Sequence, residues 1–173
     1  MRYKKWSQTK KLLMSFLCDD LRSRVDYQLV NYRKAHDQTG RAYITVDKKE
    51  VLNMCSLISM NKEAEEEQRI INERVLIYDL SDTKSILETK ELAVTINMNK
   101  GIYAQWDFLD IVNMFLHNPI EVSLGSQDLL TNILCLLDRR VGKRTLRRMN
   151  ESIQDHHELI QYFYQLRCEA EKV

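Results

Sequence analysis

Alternating apolar positions early in the chain give way to helical spacing later, and the change divides the sequence. Val25, Tyr27 and Leu29 take every second position, as do Ala42, Ile44 and Val46, and the β-branched and aromatic side chains in both runs suit a pleated, half-buried surface. Two antiparallel strands are predicted, joined by KAHDQTG, a segment of turn composition. Beyond Val46 the tetrad DKKE leads into VLNMC, expected to close a meander as a third strand. A helix over residues 50–57 is the alternative, because Leu52 and Met54 are weaker β-formers.

Helical periodicity precedes and follows this meander. Trp6, Leu13, Phe16 and Leu17 predict a helix over residues 6–21, with Ser7 as its cap and Lys4, Lys5, Lys10 and Lys11 on its outer face. Residues 60–75, without Gly or Pro and rich in strong helix formers, predict a second helix. Residues 76–98 read equally as strand or helix in their first part and as helix thereafter. Gly101 marks a break, after which Trp106, Leu109, Val112 and Phe115 recur at three-residue steps until Asn118 and Pro119. Ser126 is placed to cap the next helix, whose stripe of Leu130, Ile133, Leu134, Leu137 and Val141 marks it as central to the core. A last helix over about residues 155–171 buries Leu159, Phe163 and Leu166.

Helical phase also breaks up the most basic tract, LDRRVGKRTLRRM, which sets six cations against one acid. An unbroken helix would carry Arg144 and Arg148 onto the buried stripe, at a cost of several kcal/mol for unpaired charge. The core helix is therefore expected to stop, with Gly142 as its C-terminal cap and Arg139 and Arg140 in its last turn. A short helix from about Lys143 would turn Leu146, Met149 and Ile153 inward and Arg144 and Arg148 outward. The fold class expected is α+β: an N-terminal helix, a small antiparallel β-meander over about 24–56, and a mostly helical C-terminal half over about 60–173, all in one domain.

Composition narrows the function classes. A net charge of +1 on 173 residues argues against a globally basic nucleic-acid binder, so any charge-driven partner must meet a local patch. No apolar run approaches the roughly 18–20 residues that span a bilayer, and the basic N-terminus lacks a cleavable signal pattern, so a cytoplasmic protein with no membrane partner is expected. Cys18, Cys55, Cys135 and Cys168 match no zinc or CxxC spacing and sit in apolar segments, which predicts buried thiols and no metal. Asp107 and Asp110 are read as acids near a helix start rather than ligands, and His156 and His157 as cap or surface residues. No cofactor motif and no catalytic set are found.

Two clusters are the candidate sites. Arg139, Arg140, Lys143, Arg144, Arg147 and Arg148, a candidate anion- or partner-binding set, have the composition of a phosphate-binding surface, since guanidinium groups chelate phosphate oxygens. No aromatic residue interleaves this run, so the stacking used by single-strand binders is missing from it. Internal pairing with Asp138, or with the acidic helix at residues 63–67, would account for the same cations. Residues 63–73 hold five acids and one Arg. Arg33, His36 and Arg41 form the second cluster, in which an imidazole beside Asp37 could serve acid or base chemistry, though no nucleophile pattern accompanies it.

Four segments, WSQTKKLL, RVDYQLVNYRKAHDQTGRAYITVDKKEVLNMC, KGIYAQWDFLDIVNMFLHNPIEVSLGS, and LCLLDRRVGKRTLRRM with FYQLRCEAEKV, together resemble a family of small uncharacterised bacterial proteins. That family is catalogued under a locus-tag name and found in Firmicutes and enteric genomes. The resemblance implies a single cytoplasmic bacterial domain and places Arg33, His36, Gly40, Arg41, Arg139, Arg140, Gly142, Lys143 and Arg144 in its motifs; it implies no activity. The function expected is a non-enzymatic accessory or regulatory module acting through a protein partner and associated with a phage or mobile element. Nucleic-acid or nucleotide binding through residues 139–148 is the alternative, and an enzyme using Arg33, His36 and Arg41 is a third reading.

Overall fold

The computed structural model describes residues 5–32 and 39–173. Its elements run α1 (Trp6–Phe16), β1 (Val25–Asn31), β2 (Gly40–Val46), β3 (Lys49–Cys55), α2 (Ser56–Asn72), α3 (Thr83–Asn99), α4 (Gln105–His117), α5 (Ile120–Leu124), α6 (Leu129–Leu137), α7 (Lys143–Met149) and α8 (Glu158–Glu171). This is the α+β arrangement that the apolar pattern predicts. Among the described residues no helix is long and apolar enough to cross a membrane.

The meander forms as a three-stranded antiparallel sheet in the order β1-β2-β3. Val25 pairs with Val46, Tyr27 with Ile44 and Leu29 with Ala42, so the alternating apolar side chains fall on one face. That face is dry: Tyr27, Ala42, Ile44 and Met54 are buried against the helices. The third strand wins over the helical alternative because its register places Leu52 and Met54 opposite Ile44 and Ala42, where burial outweighs modest β-propensity. Asp47 and Lys48, both at positive φ, make the two-residue turn between β2 and β3, a backbone hand that matches the strand twist. Arg24 then grips the Asp47 carboxylate through Nε and Nη2, at 3.0 and 2.8 Å.

Several boundaries differ from the predicted ones for identifiable reasons. Lys5, not Ser7, precedes the first helical residue, and no side chain caps α1. α1 also stops at Phe16, because Leu17 bridges to Asp138 in extended conformation and a 3₁₀ turn follows over Asp19–Leu21. α2 begins at Ser56, directly on the end of β3, and the ambiguous segment resolves into an irregular connection followed by α3, whose cap is Asp82 accepting from Lys84 N–H. α4 buries Phe108, Val112 and Phe115, whereas Trp106 is partly exposed. The cap of α6 is Asp128, accepting from Thr131 N–H at 2.7 Å, while Ser126 Oγ accepts from Asp128 N–H one step earlier.

Gly101 ends α3 as expected, at φ 77°, with Ile102 N–H donating to Asn97 O and Gly101 N–H to Met98 O. Paired return bonds of this kind satisfy the last carbonyls of a helix through a left-handed residue, where glycine carries no steric penalty. His157 caps α8, its Nδ1 accepting from Leu159 N–H. Cys18, Cys55 and Cys135 are buried thiols, Cys168 is half-buried, and the four are free. Burial pushes the Cys135 thiol up to about 12.

At the core, α6 buries Leu129, Leu130 and the run Ile133 to Leu137, and it contacts α4, α5 and α8. The sheet is tied to the helices by Gln105, the first residue of α4. Its amide Nε2 donates to Val30 O and Asn31 Oδ1, both at 3.1 Å, and its backbone N–H donates to Ser56 Oγ at the start of α2. Gly40 makes room for this reach: a Cβ there would lie 2.3 Å from Val30 O and 2.6 Å from Gln105 Nε2. Forcing a methyl into such a space costs about 1–3 kcal/mol. Gly40→Ala is therefore expected to lower the thermal midpoint by about 2–12 °C, at roughly 2–4 °C per kcal/mol for a chain of this size. Calorimetry on the variant showing an unchanged midpoint would remove the steric role assigned to Gly40.

Candidate functional site

The cationic tract turns a corner between α6 and α7, and its shape is set by a guanidinium inside the protein. α6 ends at Leu137, five residues before Gly142, so Arg139 and Arg140 lie in a turn rather than in its last helical turn. Gly142 sits at the start of α7 with φ −82°, and a Cβ there would meet nothing within 4 Å. The expectation of a glycine C-cap at Gly142 is thus corrected: a side chain from α8 meets the Leu136 carbonyl at the end of α6 and two carbonyls of the turn that follows. Arg167, 1% exposed, donates from Nη1 to Leu136 O and Asp138 O and from Nη2 to Val141 O, each at 2.9 Å. Its charge is offset by Glu171, one turn along α8 at 3.2 Å.

The turn is clasped from the N-terminal side as well. Arg139 N–H donates to Phe16 O at 2.7 Å, next to the Leu17 to Asp138 bridge. Asp138 has a wholly buried side chain and accepts from Arg140 N–H at 2.8 Å and from Arg140 Nη2 at 2.7 Å. The Arg140 guanidinium lies 4.1 Å over the Phe16 ring and 5.7 Å from the Phe115 centroid. A planar cation can stack on a ring and fork onto a carboxylate at once, which an ammonium cannot.

The six candidate cations are therefore not equivalent. Arg140 is used internally by Asp138 and the two Phe rings. Lys143 reaches the backbone and carboxylate of Glu171. The side chains of Arg139, Arg144, Arg147 and Arg148 are exposed and make no ion pair among the described residues. α7 behaves as the helical phase predicts: Leu146 is fully buried, Met149 packs on the core, Ile153 is buried beyond it, and Arg144 and Arg148 face outward. Tyr164 from α8 holds α7 in place by donating to Leu146 O at 3.1 Å.

The acidic helix does not serve these arginines. Within α2, Lys62 pairs with Glu65 and Arg69 pairs with both Glu66 and Glu73. Lys100 at the end of α3 reaches Glu66 at 2.9 Å, and Lys100 and Arg69 together hold the Glu66 carboxyl below the usual carboxylate range. So of the two internal partners considered for the basic tract, only Asp138 is used, and only by Arg140.

In the second cluster, Arg33 and His36 lie outside the described residues. Arg41 pairs with Glu50 at 3.1 Å and lies 4.5 Å over the Tyr43 ring, on the outer face of the sheet. Asp107 accepts from Ala104 N–H at the start of α4, and burial raises its carboxyl. Among the described residues no three His, Cys, Asp or Glu side chains gather where they could hold a metal. One position that shapes the corner escaped the sequence reading, Arg167. It lies on an apolar stripe, four residues after Phe163, which is the signal that would have found it.

Removing the buried guanidinium leaves three interior carbonyls and Glu171 without their donor. Breaking a buried charge network by deleting one partner costs about 3–5 kcal/mol, a large part of a total stability of about 5–15 kcal/mol. Arg167→Met is expected to show that loss in urea unfolding. Arg167→Lys recovers little of it, because one ammonium cannot span three carbonyls. Equal stability of either variant with the parent chain would refute the capping role.

No curated protein and no solved structure matches the chain. One family model does, over residues 5–168, a span that includes α1, the meander, the corner and the buried Arg167. On that match the chain belongs to the SF0329 protein family.

Proposed function

We propose that the protein is a non-enzymatic binding module that holds an acidic region of a protein partner on the exposed arginines of α7. We place it in the bacterial cytoplasm, as an accessory or regulatory factor of a phage-related or mobile element. The bacterial setting rests on the motif segments quoted above. One observation carries the binding reading: Arg144, Arg147 and Arg148 share the outer surface of α7 without an ion pair among the described residues, while Glu65, Glu66 and Glu73 of the acidic stretch are paired with Lys62, Arg69 and Lys100.

Helix energetics supports a role beyond stability. Like charges one turn apart destabilise a helix by about 0.2–0.5 kcal/mol per pair, and Arg144 and Arg148 stand at that spacing. Arg144 lies in the first turn of α7, where the helix dipole disfavours a cation and no acid of that turn offsets it. An arrangement that costs the fold a little and neutralises nothing inside it suits an external anion.

Nucleic acid is the second reading, favoured by the same guanidinium groups. It is weakened by the absence of any aromatic side chain in Lys143–Met149 on which a base could stack. Affinity capture from cells carrying the gene separates the two. A protein that stays bound after nuclease digestion, and is lost at least about tenfold from the Arg144→Glu, Arg147→Glu, Arg148→Glu chain, is the expected result. Three reversed contacts at about 0.2–1 kcal/mol each support that magnitude. Undiminished capture by the triple variant, or release of everything by nuclease, would overturn the proposal.

A further inference from the structure

Beside the arginines of α7 a cleft of about 140 Å³ opens between α5, α6 and α7. Cys135, Leu136 and Val141 form its buried side, and half-buried Leu124 and Met149 flank them. Burial keeps the Cys135 thiol protonated near neutral pH, so this floor is apolar and holds no nucleophile. Arg148 belongs both to the lining of the cleft and to the unpaired cationic surface.

The volume limits what can enter. An apolar cavity of about 150 Å³ admits a benzene-sized body, whereas small-molecule sites run to about 300–1,000 Å³. One aliphatic side chain fits; the remainder of its molecule must lie outside, across the arginines. The charge there selects an anion, and the apolar floor selects a hydrocarbon, so both are met only by a ligand carrying the two side by side.

We infer that the α5–α6–α7 cleft is the anchor pocket for a partner-protein segment in which one aliphatic side chain is flanked by carboxylates, the side chain entering the cleft and the carboxylates meeting Arg144, Arg147 and Arg148. This rests on the reading of the corner as a protein-binding surface and adds its anchor. The arrangement follows the usual economy of interfaces, in which a central buried side chain supplies most of the affinity and a charged rim supplies selection.

Fluorescence anisotropy with three labelled peptides tests it: glutamates around one central leucine, the same peptide with central alanine, and an all-glutamate peptide of equal length. The leucine peptide is expected to bind about tenfold or more tighter than the alanine peptide, as burial of three further carbons allows. Thr145→Phe, which fills the cleft from a half-buried wall position, should abolish that preference while leaving all-glutamate binding unchanged. Leu124→Trp repeats the test from the opposite wall should Thr145→Phe fail to fold. Equal binding of the leucine and alanine peptides would remove the anchor pocket and leave the acidic-partner reading intact. A leucine preference that survives both filling variants places the anchor elsewhere and also overturns the inference. Failure of all three peptides to bind, or their displacement by single-stranded RNA at equal charge concentration, removes both readings together.

Discussion

Arg167 is the contact on which this end of the molecule depends. A guanidinium in a protein interior is costly unless its donors are met and its charge is offset. Here two terminal nitrogens serve three carbonyls, and Glu171 supplies the counter-charge. In return α6, the most buried helix of the fold, can end inside the protein, where no water is available to satisfy its last carbonyls.

The corner shows how one composition divides into two kinds of work. Arg140 and Lys143 are drawn inward by Asp138, by the Phe16 and Phe115 rings and by Glu171, and so fix the turn. Arg139, Arg144, Arg147 and Arg148 are held out by the same turn. Along the acidic α2 the larger part goes the other way, Glu65, Glu66 and the adjoining Glu73 pairing with Lys62, Arg69 and Lys100. Opposite charge at equal density along a sequence therefore says little about which face remains available; local pairing geometry decides it.

Periodicity carried the fold in the sequence because burial enforces it. The meander was legible from alternation, and α7 from the cost of turning Arg144 and Arg148 inward. What stayed hidden depends on pairs distant in the chain. Gln105 meets Val30 and Asn31 across the Gly40 gap, and Arg167 meets Leu136 and Val141, contacts that no local window contains. The caps were misplaced for a related reason: Ser7 and Ser126 have capping chemistry, but Lys5 precedes α1 and Asp128 is better placed for α6. The division of the six cations was legible only in part. Asp138 was recognisable as a partner for some cation, but the choice of Arg140 depends on Phe16, more than a hundred residues earlier.

The turn after α6 is held by residues from both ends of the chain, Phe16 and Leu17 on one side and Arg167 on the other. Elements of one domain generally fold as a unit. A fragment that carries the basic tract but lacks residue 167 would hold the cationic corner in sequence and not in shape. Recognition by the proposed partner would thus be a property of the folded corner, and a peptide of the tract alone would be a poor substitute for it.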